Sequence, residues 1–300
     1  MQIIKPITVT DSILTATNVP ENDFPQWAAG TTYSIGNKVI SLTTHKIYES
    51  LINSNLGNNP TTDNGTKWLD LGATNRWKAF DKKIGNRVTQ LNSIQYTLSD
   101  PASNITSVAL FGLTGLSANV TVMDGATEVF DQTFSLVDNR NIIDWYTYFF
   151  EEQVQLEEAL FVNIPPYLGS DVIITVTAAT GTNAQIGQIV LGFLTDLGAT
   201  NYGTAVSIED FSRKETDAFG NFVVVERAFS QLADFDVQFE TANTRRLQST
   251  LAQYRATPIV YIGNQDPAYA LIIYGFFRRF DLTLETPSLS FGAIEVEGLT

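Results

Sequence analysis

The chain has no cysteine and only one histidine among its 300 residues. Without cysteine there are no disulfides, no thiolate catalysis and no Cys-ligated zinc or iron–sulfur site. A single histidine, His45, cannot build a His-rich metal cluster, and we expect it to be an ordinary loop residue rather than a ligand or a base. The sequence therefore predicts neither a metal nor a cofactor.

Basic residues are scarce as well. Lys and Arg number 18 against 32 Asp and Glu, which gives a formal net charge of −14. So acidic a chain lacks the basic surface that follows a nucleic-acid backbone, and we expect no nucleic-acid partner. Residues 101–200 hold 11 of the acidic residues and a single base, Arg140. This acidic block is either a solvated face or a surface that attracts a basic partner.

Long hydrophobic runs are missing too. Nowhere do about 18 apolar residues follow one another, and the first six residues lack the apolar stretch of a signal peptide. We therefore expect no membrane insertion. If the protein acts outside the cell that makes it, we expect it to leave by lysis or within an assembly.

The residues that are present predict a folded, mainly β protein. Hydrophobic residues make up 44% of the chain, enough for a large core and two or three domains. Residues 119–123 and 171–177 are rich in β-branched side chains and predict strands. One helix is predicted over 243–255, where apolar residues recur at helical spacing before Pro258, and a second, less regular one over 151–159.

Composition shifts suggest four segments. We predict an N-terminal arm (1–20), a small aromatic module (21–72), a β-sandwich (73–197) and a second β domain that carries the 243–255 helix (198–300).

The small module has a recognisable pattern. Its motifs are Trp27-Ala28-Ala29-Gly30-Thr31-Thr32-Tyr33, Gly36-Asn37-Lys38-Val39, Lys46-Ile47-Tyr48-Glu49-Ser50, Asn58-Asn59-Pro60 and Trp68-Leu69-Asp70-Leu71. This pattern resembles the small chitin- and cellulose-binding modules of carbohydrate-binding families 5 and 12. The resemblance implies that exposed aromatic rings would stack on sugars, but the segment after Tyr48, where the family carries them, reads Leu51-Ile52-Asn53-Ser54-Asn55-Leu56. Trp27, Tyr33, Tyr48 and Trp68 therefore either form the module's core or contact a glycan.

The remaining residues carry two further resemblances. Residues 159–167, 171–177 and 186–192 look like the closing strands of a jelly-roll sandwich of the galactose-binding type. Several ordered motifs follow, at 197–203, 210–217, 225–228, 256–263, 273–280 and 294–299. Together they resemble tail proteins of tailed bacteriophages found near the tail tip or baseplate. That resemblance implies a virion structural protein assembled in the host cytoplasm, with other tail proteins as partners and a symmetric homo-oligomeric ring.

Two aromatic clusters are candidate interfaces. Residues 145–150, which begin with Trp145 and Tyr146, are too apolar for a solvated loop. Phe276, Phe277, Arg278 and Arg279 combine aromatic and Arg side chains, as interface cores do. The alternative for the second cluster is strand alternation, with phenylalanine facing the core and arginine facing solvent.

Catalysis has little support. The pairs Glu151-Glu152 and Glu157-Glu158 are adjacent carboxylates on a predicted helix, where neighbours point in different directions. We therefore expect no enzyme. The leading hypothesis is a structural tail-tip or baseplate protein that links the tail to distal adsorption parts. The alternative is a host-surface glycan-binding tail protein that uses residues 21–72 and contacts a cell-surface polysaccharide.

Overall fold

The computed structural model describes residues 1–102, 105–140, 142–150, 154–216, 219–265 and 271–299. Antiparallel strands dominate these residues, so the predicted mainly β fold is confirmed. The predicted strands at 119–123 and 171–177 are both present, the first within a slightly longer strand that turns back at Gly125.

The first part of the chain contains seven short strands: β1 (Gln2–Pro6), β2 (Leu14–Thr17), β3 (Thr32–Tyr33), β4 (Lys38–Ser41), β5 (Lys46–Ser50), β6 (Asn55–Leu56) and β7 (Trp68–Ala73). A 3₁₀ helix over Asn75–Phe80 follows them. In the small module, β4, β5 and β7 form a three-stranded sheet and β3 pairs with β6. Gly36 and Gly65 both have positive φ, a conformation that glycine adopts readily in tight turns.

The middle of the chain contains eleven strands and one short helix. These are β8 (Val88–Leu91), β9 (Ser93–Ser99), β10 (Ser107–Phe111), β11 (Ser117–Asp124), β12 (Thr127–Ser135), β13 (Val137–Asp138), α1 (Trp145–Phe150), β14 (Val154–Gln155), β15 (Glu158–Phe161), β16 (Asp171–Thr177), β17 (Asn183–Ile186) and β18 (Gln188–Asp196).

The last part contains eight strands and a second helix. These are β19 (Ala199–Thr200), β20 (Ala205–Asp210), β21 (Arg213–Thr216), β22 (Phe222–Val225), β23 (Phe229–Glu240), α2 (Thr244–Gln253), β24 (Ile259–Asn264), β25 (Leu271–Leu284) and β26 (Leu289–Gly298). A 3₁₀ turn at Thr241–Asn243 precedes α2.

One ten-stranded sheet joins the middle and the last part of the chain. Its order is β15-β10-β18-β1-β24-β25-β26-β23-β19, with β20 also paired to β23. The N-terminal strand β1 lies between β18 and β24 and is antiparallel to both. Without β1, no strand of this sheet would connect residues 107–196 to residues 199–298.

Side-chain alternation along this sheet creates three cores. A five-stranded sheet, β12-β11-β16-β9-β2, packs on the β10 and β18 end and forms a sandwich, with Tyr96 and Phe161 among its largest buried side chains. At the other end α2 covers the sheet through Leu247 and Leu251. A third cluster on the opposite face contains Ile4 together with residues from both ends, so the two ends share one apolar face.

The helix predicted over 243–255 is confirmed as α2, since Leu247 and Leu251 are buried and Tyr254 packs beside them. The helix predicted over 151–159 is wrong: β14 and β15 occupy its described part, and Glu151 and Glu152 lie outside the described residues. The reason is pairing with β10, which buries alternate residues Ala159 and Phe161 and overrides the helical preference of the Glu- and Leu-rich sequence. In the described part of the chain, no helix is long and apolar enough to cross a membrane.

Candidate functional site

The four aromatic residues of the small module lie inside it. Tyr33, Tyr48 and Trp68 are buried, and Trp27 is partly buried against them. Tyr33 meets Trp68 edge to face with ring centroids 5.2 Å apart, and Trp68 Nε1 donates to the carbonyl of Asn58 at 3.0 Å. These rings are the module's core, as one of the two sequence-based interpretations holds, and no aromatic side chain of residues 21–72 is exposed.

A turn built around a carboxylate closes the same core. Asp63 accepts backbone N–H groups from Gly65, Lys67 and Trp68 at 2.9–3.0 Å. Although desolvation opposes the charge, these hydrogen bonds lower the pKa of the Asp63 carboxyl below its ordinary value. Asp63 therefore fixes the loop that places Trp68 in the core.

His45 joins the small module to the rest of the protein. Its Nδ1 lies 3.0 Å from a carboxylate oxygen of Glu21, its Nε2 lies 3.0 Å from Asp11, and its ring stacks on Trp77 at 4.2 Å. Glu21 is also bonded by Thr74 at 2.9 Å. The prediction of an ordinary loop residue missed this joint because its partners are distant in sequence. Within the described ranges, no three His, Cys, Asp or Glu side chains are arranged to hold a metal ion.

The predicted Phe-Arg cluster is tied into its own sheet. A β-bulge between Phe277 and Arg279 interrupts the pairing with β26, so two consecutive arginines reach the surface. Arg278 Nε donates to Glu297 at 2.7 Å and Arg279 forms a 2.7 Å ion pair with Asp281. Phe277 packs against the core beneath α2, and Phe276 is partly buried. The cluster is thus an internally paired strand segment rather than a bare apolar patch.

The predicted aromatic cluster at 145–150 forms α1 and is exposed. Its five aromatic side chains, which include Trp145 and Tyr146, are 56–78% exposed, and they contact chiefly one another. Asp144 caps the helix by accepting the Thr147 N–H at 2.8 Å, and Thr147 Oγ1 accepts the N–H of Ile143 at 3.0 Å. Hydrogen bonds from Thr147 lower the pKa of the Asp144 carboxyl.

An apolar groove lies at the base of the segment that carries α1. Strands β13 and β14 flank this segment and pair with each other, Val137 opposite Gln155 and Asp138 opposite Val154. Beside them is a cavity of about 700 Å³, which we call the helix groove. Its apolar lining is Phe134, Val137, Leu156, Ala159, Leu160, Val162 and Ile272.

Glu158 borders the helix groove and a second cavity of about 490 Å³ on the other side of β15. It has no hydrogen-bond or ion-pair partner among the described residues, whereas its neighbour Glu157 forms a 3.1 Å ion pair with Arg87. Burial raises the pKa of Glu158 to about 7. A helix over 151–159, as the sequence predicts, would not distinguish these two carboxylates, whereas strand β15 gives them different surroundings.

A second exposed apolar surface lies on the long hairpin, which we define as residues 205–216 and 219–229. It comprises β20, the β21–β22 ladder and the start of β23. Phe222, Val223, Val224 and Val225 are 48–79% exposed, and Val206 and Ile208 are exposed on β20. Because side chains alternate along a strand, four consecutive exposed residues make both faces of β22 apolar. The unbroken Phe222–Val225 run was the sequence signal for this surface.

Comparison with known proteins gives no relative for this chain. No protein-family model, no curated protein and no solved structure matches it.

Proposed function

We propose that this chain is a structural subunit of a bacteriophage tail, at or near the tail tip or baseplate. It links the tail to distal adsorption parts through protein–protein interfaces, and it is a binding rather than a catalytic protein. The phage assignment comes from the ordered motifs between residues 197 and 299. The assembly role rests on the long hairpin.

The long hairpin carries the assembly role because its strand β22 is apolar on both faces. A two-stranded ribbon is marginal in water by itself, and a strand whose residues are all apolar is typical of strands covered on both sides. Phe222–Val225 has this pattern, yet all four side chains are exposed. Apolar patches this continuous mark interaction sites. We therefore assign the hairpin to contact with neighbouring tail subunits.

Immunoelectron microscopy tests the location. Antibody raised against residues 198–300 is applied to phage particles whose genome encodes the chain. We expect label at the tail tip or baseplate. Particles that carry no label, or label only on the head, would contradict the proposal.

A pair of variants tests the surface. Val224→Asp in the hairpin is compared with Leu56→Asp, which places the same charge on an exposed leucine of the small module. We expect Val224→Asp to lower incorporation into particles at least about tenfold, which corresponds to about 1.4 kcal/mol, and Leu56→Asp to leave incorporation unchanged. Equal incorporation of both folded variants would contradict the role of the hairpin.

The alternative, a tail protein that binds a host-surface polysaccharide through residues 21–72, has weaker support because Trp27, Tyr33, Tyr48 and Trp68 form a core. Its test is retention of the full chain on insoluble chitin or cellulose. Retention that survives Trp145→Ala but is lost in a folded variant altered on the surface of residues 21–72 would favour it over the structural role.

A further inference from the structure

The exposed helix α1 is apolar around its whole circumference. Six residues make more than one and a half turns, and all but Thr147 are aromatic. The Thr147 hydroxyl is already engaged in hydrogen bonds with Asp144 and Ile143. A helix that is apolar all round is normally enclosed by other groups, whereas a flat sheet or a membrane surface covers one side only. A partner surface for α1 therefore has to be concave and apolar.

The helix groove has that shape and chemistry. Its volume is about 700 Å³ and its walls carry seven apolar side chains. Side chains of Gln132, Ser135 and Asn139 also line it, and these can bond the indole N–H of Trp145 and the hydroxyl of Tyr146. Every copy of the chain therefore carries both an uncovered aromatic helix and a groove suited to one.

No residue of α1 lines the groove of its own copy in the described part of the chain. Backbone hydrogen bonds join Ile142 to Asn139 at 3.1 Å and Tyr148 to Asp144 at 3.0 Å. The paired strands β13 and β14 form the base of this segment and part of the groove's wall. In this arrangement the aromatic rings face solvent.

We propose that α1 of one copy inserts into the helix groove of a second copy of this chain. The inference deepens the proposed function, on which it rests, by naming a self-contact within the assembly. Fully burying an aromatic side chain covers about 150–250 Å², so five rings exposed by 56–78% offer roughly 500–900 Å² per copy. Stable complexes bury about 800 Å² per partner. The helix alone therefore supplies most of one side of a stable interface.

Glu158 makes this contact sensitive to pH. The charged groups that line the groove are Asp138, Arg140 and Glu158, and Arg87 and Glu157 lie beyond Glu158 in the adjoining cavity. Asp138 is held ionised by Arg140, which lowers its pKa to about 2. A docked helix removes water from Glu158 and favours its neutral form. Association is therefore strongest below pH 7 and weakens as the pH rises through 7.

Sedimentation equilibrium of the full chain tests the proposal. We expect concentration-dependent self-association. The double variant Trp145→Ala/Phe149→Ala should raise the dissociation constant at least about thirtyfold, as loss of an interface hot spot does. The control Tyr202→Ala removes a fully exposed tyrosine elsewhere and should change it less than about twofold. Circular dichroism checks that each variant is folded.

A mixing experiment identifies the two halves of the contact. Leu160→Arg places a charge in the groove but leaves α1 intact. Trp145→Ala/Phe149→Ala removes two aromatic rings of α1 but leaves the groove intact. If each variant alone is monomeric and an equimolar mixture associates, helix and groove come from different copies. Should Leu160→Arg fail to fold, Val162→Lys, at a partly buried position of the same groove, replaces it.

Three results would overturn the inference. They are a wild-type chain that stays monomeric, a monomer that instead sediments with phosphatidylcholine vesicles through α1, and self-association that does not change in the α1 variants. Self-association that does not depend on α1 would contradict this inference but not the proposed function. Conversely, α1-dependent association without label on particles would refute the tail assignment and leave the self-contact intact.

Discussion

The small module and the α1 segment use aromatic side chains in opposite ways. In residues 21–72 every aromatic ring is at least partly buried, and Trp68 is surrounded by a three-stranded sheet and the Asp63 loop. In α1 five aromatic rings face solvent on a helix of six residues. Each segment holds five aromatic side chains, but those of residues 21–72 are spread over 52 residues, whereas those of α1 lie within six. The spacing leaves chain between the rings of the small module that folds around them, and α1 has none, so the number of aromatic side chains alone does not distinguish a core from an interface.

The strongest test of this contrast removes the central ring of the small module. Trp68→Ala should cost about 3–5 kcal/mol and unfold residues 21–72, because the side chain is almost fully buried and bonds Asn58. Limited proteolysis, followed by mass mapping of the cut sites, measures this. The exposed neighbour Leu69→Ala is the control and should change stability by less than about 0.5 kcal/mol. If residues 21–72 stay protease-resistant in Trp68→Ala, the buried ring does not hold the small module together, and the contrast with α1 is contradicted.

A second test concerns the groove beside α1. The pKa of Glu158 is about 7 in the folded chain against an ordinary value of 4.5, so the folded state holds this proton more tightly than the unfolded state. The resulting contribution to the free energy of unfolding is present below pH 4.5 and is lost as the pH rises to 7. Glu158→Gln should therefore be more stable than the wild type at pH 8, by up to about 3 kcal/mol, with no difference near pH 4.

Urea unfolding of monomeric chain at both pH values measures this effect. Glu157→Gln, which loses only an exposed ion pair to Arg87, is the matched control and should change stability by less than about 1 kcal/mol at either pH. If Glu158→Gln and Glu157→Gln change the free energy of unfolding equally at both pH values, Glu158 lies in a groove that is open to water.

A third test separates the small module from its joint. His45→Asn keeps a residue that tolerates the positive φ of 54° but removes the ring between Glu21, Asp11 and Trp77. We expect a loss of about 1–3 kcal/mol and faster cleavage between residues 73 and 80. Ser54→Asn, at an exposed position with the same φ, should have no such effect. If cleavage is unchanged, the ring contacts do not hold the module.

The smallest expected effect completes the contrast. Trp145→Ala should change the stability of the isolated monomer by less than about 0.5 kcal/mol, because the ring is exposed. Thermal unfolding at a concentration below self-association measures it. A loss as large as that of Trp68→Ala would show that α1 is part of a core.

Local patterns predicted much of the fold. The β-branched run at 171–177 and the Leu247–Leu251 spacing were sufficient for β16 and α2, since each signal lies within its own element. The 151–159 helix failed because pairing with β10, over 40 residues earlier, decides that segment. Exposure escaped prediction for the same reason: Trp68 and Trp145 differ only in what the rest of the chain places around them.

The position of β1 imposes an order on biosynthesis. Residues 2–6 are synthesised long before their neighbours in the ten-stranded sheet, which are residues 192–196 and 260–262. At about 5–20 residues per second, the nascent chain holds an unpaired Ile3 and Ile4 for on the order of 10–50 s before both neighbouring strands exist. Strand β1 is thus paired on both sides only after residue 262 has been made. A chain that stops short of β24 would leave this apolar strand with an open edge, ready to pair with another molecule.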